Sequence, residues 1–282
     1  MKRYCCIFIL FACQSAYLYA NENESENELA KASLNGLKIN HAAEHISVPF
    51  QEYFNFDYGH DNTQSILYLK PVVPFRIAPN LDLILRTIAP IYERTPTNNT
   101  RGNPDGHYVN GWGDINPTFF ISPATFQSVI IGFGPTVSIP TATNNKYIGT
   151  GKWSLGPELA LYYIGQHWMA GFLANNLWSI AGDAQRESVN NFEFEYLISY
   201  VFDNGWYINS NPTITANWKN TGDKRWIVPF GIGAGRAFKW NQQSINMSVI
   251  GNYNFIRPDQ TGPVWQIQLQ IEWLFPPVTI LR

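Results

Sequence analysis

The sequence predicts an all-β fold: a twelve-stranded antiparallel transmembrane β-barrel of the outer-membrane type. Three observations predict it. First, residues 265–275 alternate without a break. Trp265, Ile267, Leu269, Ile271, Trp273 and Phe275 fall on one face, and Gln266, Gln268, Gln270 and Glu272 on the other. About ten residues suit a tilted strand crossing a bilayer, and aromatic residues at both ends of the apolar face suit the two interfaces. Second, the chain of 282 residues is 15% aromatic but only 14% charged, with no long apolar run after residue 20. A helical membrane protein needs runs of about 20 apolar residues. Alternation keeps mean hydropathy near neutral, here −0.18. Third, segments of strand character recur from residue 46 onward, separated by breakers that are alternately short and long.

Residues 1–20 read as a secretory signal peptide. Lys2 and Arg3 form the positive start, residues 5–13 the apolar middle, and Ala20 the last residue before cleavage. Leu10-Phe11-Ala12-Cys13 loosely resembles a lipoprotein cleavage box. All three cysteines, Cys5, Cys6 and Cys13, lie in this leader. Cleavage after Ala20 therefore excludes disulfides and thiolate zinc sites from the remaining chain. That chain is acidic, which gives no attraction for nucleic acid. Residues 21–45 are polar, with Glu22, Glu24, Glu26 and Glu28 clustered early, and read as a solvated periplasmic lead-in; a plug is the alternative.

Twelve strands are expected within the barrel domain, residues 46–275: 46–56, 63–75, 81–93, 114–122, 128–139, 153–164, 168–181, 191–202, 206–218, 226–238, 244–255 and 263–275. Residues 276–282 remain as a short C-terminal tail. Connections after even strands are short and those after odd strands mostly longer, as in barrels with short periplasmic turns and longer external loops. An even count puts both ends of the barrel on the periplasmic side. Gly132 and Gly134 in the fifth strand, and Gly231, Gly233 and Gly235 in the tenth, imply either room for a large neighbour or a pore-side groove. The seventh strand has no clear face, because Asn175 and Asn176 are adjacent. In the eighth, Phe192, Phe194, Tyr196, Ile198, Tyr200 and Phe202 oppose Glu193 and Glu195. In the ninth, Tyr207, Asn209, Asn211, Thr213, Thr215 and Asn217 oppose Trp206, Ile208, Pro212, Ile214, Ala216 and Trp218. In the eleventh, Asn246, Ser248, Asn252 and Asn254 oppose Ile245, Met247, Val249, Tyr253 and Phe255. Burying such amides and carboxylates in a dry core costs several kcal/mol unless each is paired, and a wet lumen removes that cost. Prolines 71, 74, 90, 117, 135, 157, 212 and 229 oppose a continuous ladder and are expected at bulges and strand ends.

Ile46-Ser-Val-Pro-Phe50, Gly113-Asp-Ile-Asn-Pro117, residues 133–143, Gly149-Thr-Gly-Lys-Trp153, residues 211–218 and Arg257-Pro-Asp259 carry a resemblance. Over residues 46–275 the chain resembles a bacterial family of outer-membrane transporters. It is similar to the phenol-degradation MetA-pathway barrel, and members often bear the misleading name neuromedin U. The resemblance implies a barrel and a transporter, and supplies no catalytic residues and no defined solute. Outer-membrane barrels usually finish on an aromatic residue, whereas Phe275 is followed here by residues 276–282.

The candidate pore-lining and selectivity residues are Lys70, Arg86, Asp114, Glu158, Glu193, Glu195, Asn209, Asn211, Gln266, Gln268, Gln270 and Glu272. Charges in a lumen set selectivity, unless they pair across a narrow barrel and fill it. Residues 94–113 are long enough to fold inward and constrict the pore, or else form a solvated outer loop. No catalytic residue is expected: none of His41, His45, His60, His107 and His167 falls on a strand beside a serine of the same face. Gly149-Thr-Gly-Lys152 lacks phosphate-loop spacing, and His41 with His45 supplies too few ligands for a metal, so no cofactor is expected. The expected function is a channel or transporter in the bacterial outer membrane for small solutes, apolar or aromatic ones included. Its expected partners are membrane lipid and that solute. The alternatives are a barrel hydrolase and a structural or adhesive barrel that acts through its loops. The sequence carries no signal for oligomeric state.

Overall fold

The computed structural model describes residues 29–31 and 45–275, except 60, 98–106, 124–127, 242, 260 and 261. The predicted leader, most of the lead-in and the C-terminal tail lie outside the described residues. Twelve antiparallel strands form one closed barrel. They are β1 (Ile46–Tyr58), β2 (Asn62–Leu69 and Val72–Ala78), β3 (Leu81–Pro96), β4 (Tyr108–Gly111 and Asn116–Pro123), β5 (Val129–Ser138) and β6 (Lys152–Ile164). Then follow β7 (Trp168–Gly182), β8 (Asn190–Val201), β9 (Trp206–Ser210 and Thr213–Asn217), β10 (Trp226–Trp240), β11 (Gln243–Ile256) and β12 (Trp265–Phe275). Each strand pairs with its chain neighbours, and β12 closes on β1 from Ile46↔Phe275 to Phe56↔Trp265 with no register shift.

Three strands are each in two pieces, and proline explains two of the breaks. Pro71 interrupts β2 and Pro212 interrupts β9, because proline offers no ladder donor. Register shifts flank Pro90, opposite Leu67 and Tyr68, and Pro229, opposite the end of β11. The expected long connection after β1 is a tight turn instead, since β1 runs to Tyr58 and β2 starts at Asn62.

The outer wall is apolar. At the loop end Trp112, Trp153, Trp178, Trp218, Phe255 and Trp265 are exposed; at the turn end Tyr163, Trp168, Phe202, Trp206 and Trp240 are. Two aromatic girdles with Leu155, Leu159, Ile208, Ile232, Val249 and Leu269 between them suit a bilayer and its interfaces. Polar side chains also occur on this face. Glu52 faces outward between Phe50 and Phe54, where Ser65 Oγ donates to its Oε1 at 2.5 Å. Asn176 also faces outward, which resolves the ambiguity of β7. Its oxygen accepts from the Trp218 indole Nε1 at 2.7 Å, and its nitrogen donates to Asn190 Oδ1 at 3.0 Å.

Inside, the turn end is filled by apolar side chains. Ile84, Phe120, Ile130, Tyr162, Met169 and Val201 are all buried and face inward. Leu29 and Ala30 are fully buried in this same cluster, within a helical turn over residues 29–31. That turn sits inside the barrel, so this part of the lead-in is not solvated. Gly235 serves the same packing: a Cβ there would lie 2.3 Å from the Tyr207 ring, which needs the space.

Trp218→Phe keeps the girdle ring and removes the indole donor, leaving the Asn176 oxygen without its closest partner. A loss of about 1–3 kcal/mol is expected. Urea unfolding of the barrel in micelles measures it, and adding Asn176→Leu should recover most of the loss.

Candidate functional site

The inward positions of the strands enclose two chambers. The larger, about 540 Å³, opens toward the loops and is lined by Tyr53, Tyr68, Lys70, Arg86, Glu158 and Glu193 among others. The smaller, about 80 Å³, lies toward the turns, beside Asn209, Asn211, Tyr207, Gln270 and Glu272. Lys70, Arg86, Leu173 and Glu195 line both, so they form the neck between them.

Every predicted pore residue faces inward. Lys70, Arg86, Asp114, Glu158, Glu193, Glu195 and Gln266 line the larger chamber. Asn209, Asn211, Gln270 and Glu272 line the smaller. Gln268 lies on the same face of β12, 3% exposed, and lines neither.

At the neck Arg86 bridges two carboxylates, with Nη1 3.1 Å from Glu158 Oε1 and Nη2 3.5 Å from Glu195 Oε2. The second Glu158 oxygen accepts from Thr118 Oγ1 at 2.6 Å. Lys70 Nζ is 3.3 Å from the Tyr53 hydroxyl and lies over the Tyr53 and Tyr68 rings, 5.1 and 4.9 Å from their centroids. An ammonium over aromatic faces is stabilised by the ring quadrupoles, more strongly where water is scarce.

Amides run round the wall in register. Asn252 donates to Gln266, Gln266 to Asn55, Asn55 to Gln64, and Gln64 to Glu93 and Thr95. Nearer the turns Gln51 donates to Gln270, while Gln270 and Asn246 both donate to Glu272 Oε2.

Asp114 plays a further part. Its Oδ1 accepts from Ala142 N at 3.1 Å, and its Oδ2 from Thr150 N at 2.7 Å and Thr150 Oγ1 at 2.8 Å. Thr141 Oγ1 donates to Gly113 O and accepts from Ile115 N, and Thr143 Oγ1 accepts from Trp112 N. The connection between β5 and β6 is thereby folded over the mouth, and its Ile148 and Thr150 line the larger chamber. For residues 94–113 the sequence leaves open an inward fold or a solvated outer loop. Of these, 98–106 lie outside the described residues, and β3 and β4 take up most of the rest.

Tyr53, Tyr68 and Glu93 are among the lining residues that escaped the sequence reading. Tyr53 and Tyr68 alternate with Gln51, Asn55, Gln64 and Lys70 and were legible in principle. Glu93 was not, because it lies an odd number of positions from Arg86. The register shift between Pro90 and Tyr92 turns it inward. Among the histidines that the hydrolase alternative needs, His60 lies outside the described residues. His167 sits at the turn end, 3.0 Å from Val201 O and stacked on Tyr200.

No protein-family description matches the chain, and no curated relative does. Among solved structures it is similar to an outer membrane channel from Pseudomonas putida F1, at 15% identity and a TM-score of 0.63, over 84% of this chain and 97% of that one. It overlaps more loosely with the NanC porin, at 10% identity and a TM-score of 0.49, over 83% and 100% of the two chains. The outer membrane phospholipase A from Escherichia coli gives 8% identity and a TM-score of 0.44, over 89% and 98%. The likeness to the Pseudomonas channel is one of fold. A closed twelve-stranded barrel with an apolar, aromatic-girdled outer wall defines the class: this chain is a bacterial outer-membrane β-barrel.

Asp114→Ala removes three acceptor contacts from the loop over the mouth. Trypsin cleavage after Lys146 or Lys152 should accelerate by about an order of magnitude or more, the loss of one or two charge-assisted hydrogen bonds. Limited proteolysis of the folded barrel reads this directly.

Proposed function

We propose that this barrel passes small solutes across the outer membrane through its lumen. The observation that carries the reading is the chamber of about 540 Å³, walled by amides, carboxylates and tyrosines and placed at the loop end of the barrel. A barrel built only to be filled would pair those groups at close range and leave no such volume. The fold likeness to an outer membrane channel supports the same reading.

The predicted lining residues then act as the selectivity set, with Lys70, Arg86, Glu158 and Glu195 at the neck. Tyr53 and Tyr68 offer ring faces to an aromatic solute, in keeping with the resemblance to the phenol-degradation MetA-pathway barrels. A fully apolar solute is poorly matched, because amides and carboxylates are spread through a wall of mixed character. Residues 1–20 act as the export signal in this scheme. Residues 29–31 act as a removable closure at the turn end, where Leu29 and Ala30 join the apolar filling. That filling also favours a second reading, a barrel closed for good that works through its loops.

Deletion of residues 21–44 separates the two. Under the transport reading, single-channel conductance in planar bilayers rises several-fold over the full chain, since an apolar constriction gates by excluding water. Unchanged, negligible conductance in both proteins, with no solute flux, would favour the closed barrel.

A further inference from the structure

We propose that the larger chamber selects small organic cations, primary ammonium ions above all. The inference rests on the transport reading and names its solute class.

The charge balance comes first. Glu93, Asp114, Glu158, Glu193 and Glu195 line the chamber, against Lys70 and Arg86. Arg86 is engaged by Glu158 and Glu195, and Asp114 by the loop. Glu93 is met by the neutral donors Thr95 and Gln64, and Glu193 by Asn175 Nδ2 at 3.4 Å. Both carboxylates take their hydrogen bonds from neutral donors, and the lining as a whole holds more carboxylates than cations. Fixed charge of one sign in a low-dielectric cleft concentrates counter-ions.

The hydrogen-bonding capacity comes second, and it is independent of charge. Ser154 is 1% exposed, lines the chamber and has no partner for its hydroxyl. Asn175 Oδ1, on the same wall, has none either. Spare acceptors in a lining with an excess of carboxylates suit a solute that brings N–H donors. Benzyl alcohol brings one donor, and benzoate brings none and is repelled.

The aromatic pair comes third. Tyr53 and Tyr68 stand edge to face, 5.3 Å between centroids, with the Lys70 ammonium over both. The chain itself places an alkylammonium on these rings, so their geometry accepts one. The chamber volume of about 540 Å³ lies within the range of small-molecule sites, about 300–1,000 Å³.

The test uses the purified full chain in proteoliposomes, with benzylammonium, benzyl alcohol and benzoate as probes of one shape and three charges. Benzylammonium should enter about tenfold faster than benzoate, and faster than benzyl alcohol. A potassium chloride gradient across a planar bilayer should give a reversal potential of cation-selective sign. Glu93→Gln with Glu193→Gln in one chain should erase most of the preference, bringing benzylammonium entry down toward that of benzyl alcohol. Equal entry of all three probes into wild-type vesicles, or preference for benzoate, would overturn the cation assignment and leave transport standing. Absence of flux for every probe together with absence of conductance, in the full chain and in the chain lacking residues 21–44, would overturn both. The wild-type comparison decides even if the double variant fails to fold.

Discussion

A backbone inside hydrocarbon has no water to pair with, so every amide and carbonyl must find its partner within the sheet. Closing the sheet meets that demand without leaving an edge. The eleven-residue register between β1 and β12 is that closure here. Once the sheet is closed, period-two alternation leaves a side chain two destinations, lipid or lumen. Trp265, Ile267 and Leu269 take the first, and Gln266, Gln268 and Gln270 the second. The outer exceptions are short-range repairs. Asn176 is met by Trp218 and Asn190, and Glu52 by Ser65, because a polar group facing lipid alone costs several kcal/mol. Around Asn211 and Pro212 the ladder lapses: pairing with β10 jumps from Asn209↔Gly233 to Thr215↔Ile227. Pro229 stands on the facing strand, so donors are missing from both sides.

The lumen is organised by the same register. Residues level with one another on adjacent strands are within reach across the wall. The run Asn252–Gln266–Asn55–Gln64–Glu93 therefore crosses five strands as one circumferential rung. An amide both donates and accepts, so it can pass a rung onward, whereas a carboxylate can only end one. Glu93 and Glu272 stand at such ends. The amides stiffen the wall and leave the carboxylates as the electrostatic features of the interior.

Much of this was legible in the chain, because alternation is local. The strand count, the closure and the inward direction of Arg86, Glu158, Glu193 and Gln266 follow from counting by twos. What was not legible depends on departures from two. Glu93 turns inward through a register shift that no pattern in residues 81–96 announces. Asp114 was readable as an inward charge. Its hold on Ala142 and Thr150 needs a loop whose path only the closed barrel defines. The quoted motifs around residues 113–117, 133–143 and 149–153 meet at that latch, which gives those residue types a structural reason. The filled turn end was missed for another cause. Ile84, Phe120, Met169 and Val201 lie on strands read for their loop-side charges, and apolar residues on a lumen face look like girdle until a segment is found packed on them.

On the proposed transport reading, the two chambers impose an order on what a solute meets. A cation entering from the loops first meets Glu93 and Glu193, whose hydrogen bonds come from neutral donors, and then the neck. There Arg86 and Lys70 stand with Glu158 and Glu195, two charges of each sign. Two unit charges about 4 Å apart interact by about 4 kcal/mol at an effective dielectric near 20, so a cation beside Arg86 is repelled unless a carboxylate faces it. Excess negative charge above and paired charge below make the larger chamber the resting place. Crossing then requires the solute to replace Arg86 on one of its carboxylates, which relieves the repulsion and frees the space together. An anion would be excluded at the mouth. The apolar cluster beyond is indifferent to sign and acts on both alike, so discrimination resides in the carboxylates of the chamber and the gating of flow in the packing beneath it.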